Sequence, residues 1–297
     1  MKKTAIYWLS VCLFLISCGS PVPNNDSSKP LISVSILPQK YFVQRIVGDR
    51  FEVNVMIPPG HSPATYAPVP QQMRTLSHSK LYFRIGHIPF EKAWMENIAA
   101  NNKTMKIIDT SVGVDLIKAG NEERHDHDHK HHHAGVDPHI WLSPGAVKIQ
   151  VKHILEAVIK TDPENREFYE SNYRALVKDI DLLDREIKVL LKESKGKTFM
   201  VFHPSWSYFA RDYHLDQLAI EVEGKAPAAA DLKRVVDIAE KQGIHVIFVQ
   251  EQFDTDSARA VAAEINGRVV PMNPLAEDWL TNMKKIAQTL GKHLTGN

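Results

Sequence analysis

The chain has 297 residues, with 36 Lys and Arg against 35 Asp and Glu and 15 His. Charge this evenly balanced, with no basic block, excludes an electrostatic nucleic-acid binder. Its two cysteines are Cys12 and Cys18; both fall in the first twenty residues, so the body of the chain has neither a disulfide nor a thiolate metal ligand. Any metal site must use His, Asp, Glu, Asn or water, which excludes Cys-type structural zinc modules and favours an open, exchangeable site.

Lys2 and Lys3 precede a short apolar stretch from Ile6 to Ile16, and Leu15-Ile16-Ser17-Cys18 closes it in the pattern of a bacterial lipoprotein cleavage site. The stretch is too short to span a bilayer of roughly 30 Å as a helix, so residues 1–17 read as a processed signal. Cys18 is then the lipidated N-terminus, and residues 18–30, rich in Ser, Pro and Asn, form a flexible tether. The remainder, about 270 residues, is enough for two domains of ordinary size. No later stretch is long and apolar enough to cross a membrane, so the expectation is an extracytoplasmic body anchored by its tip to a bacterial membrane.

From Leu31 onward, short apolar runs alternate with amphipathic segments, the pattern of a βα architecture. Strands are expected at Leu31–Ile36, Glu52–Ile57, Leu81–Ile85 and Lys106–Ile108. His61 follows the second of these in the loop Pro58-Pro59-Gly60-His61-Ser62-Pro63. Further on, the chain places His125, His127, His129, His131, His132 and His133 among Asp126, Asp128 and Lys130. Neutral imidazole is the commonest protein ligand for zinc, copper and nickel. A run so dense (residues 122–135) can build no core and reads as a solvated loop that attracts metal. His139 follows in Asp137-Pro138-His139-Ile140-Trp141, a turn fixed by proline.

A single long helix is expected next, over residues 162–195. Asp162 suits its cap and Pro163 its first position. Tyr169, Tyr173, Leu176, Ile180, Leu183, Ile187 and Leu190 recur at alternating spacings of four and three, one continuous apolar stripe. Asp181/Arg185 and Asp184/Lys188 are spaced to support the exposed face. About thirty residues at 1.5 Å each make a rod of roughly 45 Å, stiff enough to resist hinge bending between the bodies it joins. Beyond it, four more strands are expected at Phe199–Phe202, Leu218–Val222, His245–Val249 and Arg268–Met272, with helices at Ala230–Gln242 and Thr255–Asn266. The fold class is therefore α/β, with two Rossmann-like lobes (31–161 and 196–297) joined by the rigid helix.

His203 and Asn273 each follow a strand of the second set, as His61 follows one of the first. Loops at the carboxyl ends of strands form the binding crevice of open α/β sheets, so a metal site shared between the lobes is expected. His78, His87, His153, His214, His245 and His293 lack such settings and read as ordinary surface or core histidines. Glu91, Glu221, Glu223, Glu251 and Asp254 are possible carboxylate ligands that read first as solvated surface acids.

Four segments carry a family resemblance. Pro59-Gly60-His61-Ser62-Pro63-Ala64-Thr65-Tyr66-Ala67-Pro68, Asp137-Pro138-His139-Ile140-Trp141-Leu142-Ser143-Pro144, Phe202-His203-Pro204-Ser205-Trp206-Ser207-Tyr208-Phe209 and Val269 to Trp279 resemble, in order, the site loops of the zinc- and manganese-binding lipoproteins of ABC importers. The resemblance implies two α/β lobes with one metal in the cleft between them and no enzymatic activity. It implies His139 and His203 as ligands; His at the second of these resembles the zinc branch, where the manganese branch generally has Glu. Two positions depart from the pattern. Ala64 stands where the family's first His normally falls, making His61 the substitute, and Asn273 replaces the family's last Asp with a neutral, weaker ligand. Glu251 or water could also complete the site. The implied partner is an ABC permease, the implied cargo Zn2+ with manganese second, and the expected state a monomer. A secreted zinc hydrolase is the rival, but the chain has neither a His-Glu-x-x-His nor a Gly-x-Ser-x-Gly pattern. A zinc-buffering or adhesive lipoprotein without a transporter is the other rival.

Overall fold

Runs of β-branched and aromatic residues build two four-stranded sheets, both entirely parallel. The computed structural model describes residues 29–119, 135–221, 228–250 and 256–295. The signal segment, Cys18, most of the tether, the histidines from His125 to His133, and Glu223, Glu251 and Asp254 lie outside the described residues.

The first sheet contains β1 (Leu31–Val34), β2 (Glu52–Val55), β3 (Ser79–Arg84) and β4 (Lys106–Asp109), in the order β2-β1-β3-β4. Its helices are α1 (Leu37–Val47), α2 (Pro70–Leu76) and α3 (Pro89–Asn101), each with a proline in its first turn, where the missing N–H costs nothing. A short antiparallel pair, β5 (Lys118–Ala119) and β6 (Gly135–Val136), flanks the histidine-rich segment and was not anticipated. Then come α4 (Pro144–Thr161), capped by the Ser143 hydroxyl accepting from Ala146 N–H at 3.1 Å, and α5 (Arg166–Leu190).

The second sheet follows: β7 (Thr198–Val201), α6 (Ser207–Tyr213), β8 (Asp216–Ala219), α7 (Ala229–Gln242), β9 (Val246–Val249), α8 (Asp256–Glu264), β10 (Arg268–Pro271) and α9 (Trp279–Thr295). Its order is β10-β9-β7-β8. Counted from its own first strand, this is the topology of the first sheet again. All eight expected main strands are present, most of them ending a residue or two early and β8 beginning earlier than read. Among the described residues, no helix is long and apolar enough to cross a membrane.

The long helix differs from expectation at both ends. Pro163–Asn165 and Lys192–Ser194 form 3-10 turns, leaving 25 α-helical residues, roughly 37 Å. Asp162 does not cap the backbone; its carboxylate accepts instead from Asn165 Nδ2 at 2.8 Å and from the Tyr169 hydroxyl. Nor is α5 a bare rod. Leu176, Ile180, Leu183 and Ile187 are buried in one core with α1, α4 and α9. Asp181 reaches Lys148 of α4 at 2.8 Å rather than Arg185, whereas Asp184 and Lys188 pair at 2.6 Å as expected.

That core runs unbroken from Ile32 and Phe83 of the first sheet through α5 to Phe199 and Val201 of the second. The alternate residues Met200 and Phe202 face the opposite side and join Val235, Ala239 and Val261 in a separate cluster beneath α7 and α8, the period-two division of a strand buried on both faces.

Glu91, expected as a surface acid, is 1% exposed. It lies in the first turn of α3 and closes the carboxyl ends of β1 and β3. The Ser35 hydroxyl donates to Oε1, as does Ile85 N–H at 2.8 Å, and Gly86 N–H donates to Oε2 at 2.6 Å. Gly86 holds φ at +102°, and a Cβ there would lie 2.7 Å from Asp109 Oδ1 and Ser111 Oγ. Burial pushes the Glu91 carboxyl up to about 7 despite the opposing pull of these hydrogen bonds and of Arg84. A carboxyl raised on folding contributes stability at low pH that is lost as pH climbs from its unfolded value through its folded one. Wild type should therefore lose up to roughly 3 kcal/mol from this group between about pH 4.5 and 7. Urea unfolding of Glu91→Gln at pH 5 and pH 8 should show a shallower decline than wild type; an identical decline would refute the assignment.

Candidate metal centre

His203 leaves β7 at its carboxyl end. The β7–β8 ladder continues past both strands, with Ile220 N–H donating to Val201 O at 3.0 Å and Glu221 N–H to Phe202 O at 2.9 Å. This register sets Glu221 beside His203, and Glu221 Oε2 lies 2.8 Å from His203 Nδ1. The sequence reading of Glu221 as a solvated acid is thus corrected: the residue is 7% exposed.

His139 is placed by local turns. Asp137 N–H donates to Ile117 O at 2.9 Å, extending the β5–β6 pair, and Asp137 Oδ1 accepts from His139 N–H at 2.9 Å. The same oxygen lies 2.7 Å from His139 Nδ1. Burial opposes ionisation of Asp137, but the His139 ring and backbone N–H, with Ser207, hold its carboxyl below the usual carboxylate range. An ionised carboxylate can only accept, so His139 Nδ1 carries the proton and Nε2 is the nitrogen with a lone pair to offer. His139 also begins the 3-10 turn Ile140–Leu142, which sends Trp141 into the core.

The two rings meet across the lobes. Their centroids are 5.4 Å apart at an interplanar angle of 74°, and each has a carboxylate on its Nδ1. Both side chains remain partly open, at 14% and 19% exposure.

His61 and Asn273 form a second pair. They line one cavity of ≈ 270 Å³ with Ile36, Leu37, Pro58 and Glu277. His61 is exposed and packs on Tyr66 at 5.0 Å between ring centroids. Its loop is fixed by Phe90 N–H donating to Pro63 O at 3.0 Å and by the Tyr66 hydroxyl donating to Gln72 Oε1 at 2.6 Å. Asn273 Oδ1 accepts from Leu275 N–H at 2.8 Å. Trp141 donates its indole N–H to Pro274 O at 2.7 Å, tying the His139 turn to the Asn273 loop. Among the described residues, no three His, Cys, Asp or Glu side chains converge closely enough to hold an ion. The arrangement is a close pair of imidazoles and a cavity lined by the other two candidates.

Three of the remaining histidines are engaged elsewhere. His245 Nδ1 lies 2.9 Å from Ile265 O, His153 Nε2 lies 2.8 Å from Val112 O, and His214 ends α6 in the left-handed region. Two partners were missed as such. Asp137 is visible in the sequence two residues before His139, but nothing there announces Glu221, because its role comes from a register between strands.

A model of the periplasmic zinc-uptake complex component A family matches residues 32–293. The chain belongs to this family. It is 28% identical over 290 residues to the high-affinity zinc uptake system protein ZnuA of Bacillus subtilis, covering 92% of this chain and 89% of the relative. A crystal structure of ZnuA aligns at 40% identity with a TM-score of 0.83, covering 90% of this chain and 99% of that one. A ZnuA deletion mutant solved with zinc bound aligns at 40% identity and a TM-score of 0.82, covering 89% and 98%. The family consists of extracytoplasmic metal-binding transport proteins rather than enzymes, and the two parallel-sheet lobes read from the sequence are its fold.

Tyr208 of α6 anchors the His139 turn from the other lobe. Its hydroxyl accepts from Ile117 N–H at 3.0 Å and donates to Asp137 O at 2.8 Å. Tyr208→Phe should orphan both groups and cost about 1–3 kcal/mol in denaturant unfolding; an unchanged midpoint would show that the turn does not depend on this bridge.

Proposed function

We propose that this protein is an extracytoplasmic receptor that captures zinc and delivers it to an ABC permease, acting as a monomer held to the membrane by a lipid on Cys18. His139 and His203 form the fixed half of the site. His61 and Asn273, with water where needed, complete it. Binding and release are the whole function; no covalent step is involved.

The observation that carries this reading is the 5.4 Å separation of the two rings. Two imidazoles bound through Nε2 to one tetrahedral zinc, at about 2.0–2.1 Å each, hold their ring centres about 5 Å apart. A carboxylate on each Nδ1 orients the ring and raises its basicity, the common arrangement behind zinc-bound histidine. With no thiolate available and imidazole dominant, the donor set suits zinc better than manganese, which prefers oxygen. The zinc-binding relatives support the same cargo.

His125, His127, His129, His131, His132 and His133 are assigned a weaker role, collecting zinc beside the main site. Calorimetry on a chain lacking residues 122–133 should show fewer bound ions and one remaining tight site. Loss of that tight site with the loop would defeat this division of labour.

Substitutions should grade the ligands. His139→Ala and His203→Ala should each weaken zinc binding at least about 100-fold, consistent with losing one of few first ligands, while His78→Ala should leave it unchanged. His61→Ala and Asn273→Ala should fall between. Equal effects at His139, His203 and His78 would overturn the ligand assignment, and failure of the intact gene to restore growth under zinc starvation would overturn the transport role.

A further inference from the structure

The four candidate ligands, His61, His139, His203 and Asn273, bring no formal negative charge with them when the imidazoles are neutral. A divalent cation in that company must find its counter-charge elsewhere. Glu277 lines the cavity but is already paired with Lys40 at 2.7 Å. Asp137 is committed to the His139 turn, accepting from that residue's backbone as well as its ring. Glu221 is different: its side chain is 4% exposed, and its only hydrogen-bonding partner among the described residues is the His203 ring.

A carboxylate buried on so few contacts is costly in a chain selected for stability alone. The fold nevertheless delivers it there, because the β7–β8 ladder continues far enough to set Glu221 against His203. We propose that Glu221 is the charge-bearing positioning residue of the ion site: it fixes the His203 ring and, through that ring, supplies the negative charge that the neutral Asn273 does not. This rests on the zinc-binding reading above and adds to it the group that sets how long the ion stays.

Glu221→Gln tests the charge while keeping a hydrogen-bond acceptor of the same shape. Zinc titration should retain one tight site but weaken it 10- to 100-fold, with faster release to a chelator. The visible absorption of the cobalt(II)-loaded protein should shift in position or intensity, as a merely structural residue would not cause. In a His203→Ala background, Glu221→Gln should have no further effect, because the ring through which it acts is gone. Glu221→Asp keeps the charge and should recover part of the affinity. Wild-type affinity in Glu221→Gln, or an equal loss in the His203→Ala background, overturns the proposal. If Glu221→Gln does not fold by circular dichroism, Glu221→Asp carries the test: reduced affinity supports the proposal and wild-type affinity overturns it. Failure of the zinc reading itself looks different, since His139→Ala and His203→Ala would then bind zinc as wild type does.

Discussion

Trp141 donates its indole N–H to the carbonyl of Pro274 and accepts, on its own carbonyl, the indole N–H of Trp279, each at 2.7 Å. Both indoles are 1% exposed, and Trp279 packs edge-on against Phe42 of α1. An indole N–H buried without an acceptor is expensive, so the three chain segments are held to a single relative position. One belongs to the His139 turn, one to the Asn273 loop and one to the start of α9. The His139 turn is therefore positioned by the protein core, and Tyr208 of α6, shortly after His203 in the chain, ties it to the second lobe as well.

On the proposed function, the site divides into unlike halves. The imidazole pair rests on carboxylates, on the Trp141 seam and on the end of a sheet, and on that reading is the preorganised half. Preorganisation of that kind lowers the ordering cost of binding. His61, by contrast, sits exposed on a loop of Pro and Gly beside the cavity. On the proposed reading, the first half confers recognition and the second lets the ion come and go, a sensible allocation for a protein that must give up what it binds.

Which features could be read from the sequence follows from how local their causes are. The eight main strands are legible because each overlaps a short stretch rich in apolar residues, and the apolar stripe of α5 because Leu176, Ile180, Leu183 and Ile187 repeat with the helix. The ends of α5 are not, because Pro163 starts a 3-10 turn as readily as an α-helix and Asp162 is taken by a tyrosine hydroxyl seven residues on. His139 and His203 stand out through their proline-flanked settings. Glu91 and Glu221 do not, since an acid in a polar stretch looks solvated until strand pairing shows what faces it. Asp181 misleads for the same reason: its partner Lys148 is on another helix, and spacing along one helix cannot reveal it.

The repeated topology makes the asymmetry of the site intelligible. Each sheet has its crossover reversal between its first and third strands, the place where open α/β sheets bind ligands. In the first lobe that place is already filled: Glu91 spans Ser35 after β1 and the N–H groups of Ile85 and Gly86 after β3. In the second lobe the corresponding ends carry His203 after β7 and Gln250 after β9, with Gln250 reaching Ser205 rather than closing over the histidine. One crevice is sealed by its own carboxylate and contributes rigidity, while the other presents an imidazole with a carboxylate behind it. On the proposed function the first lobe contributes to the centre from elsewhere, through the His139 turn and the loop of His61, where the chain places its remaining histidine candidates.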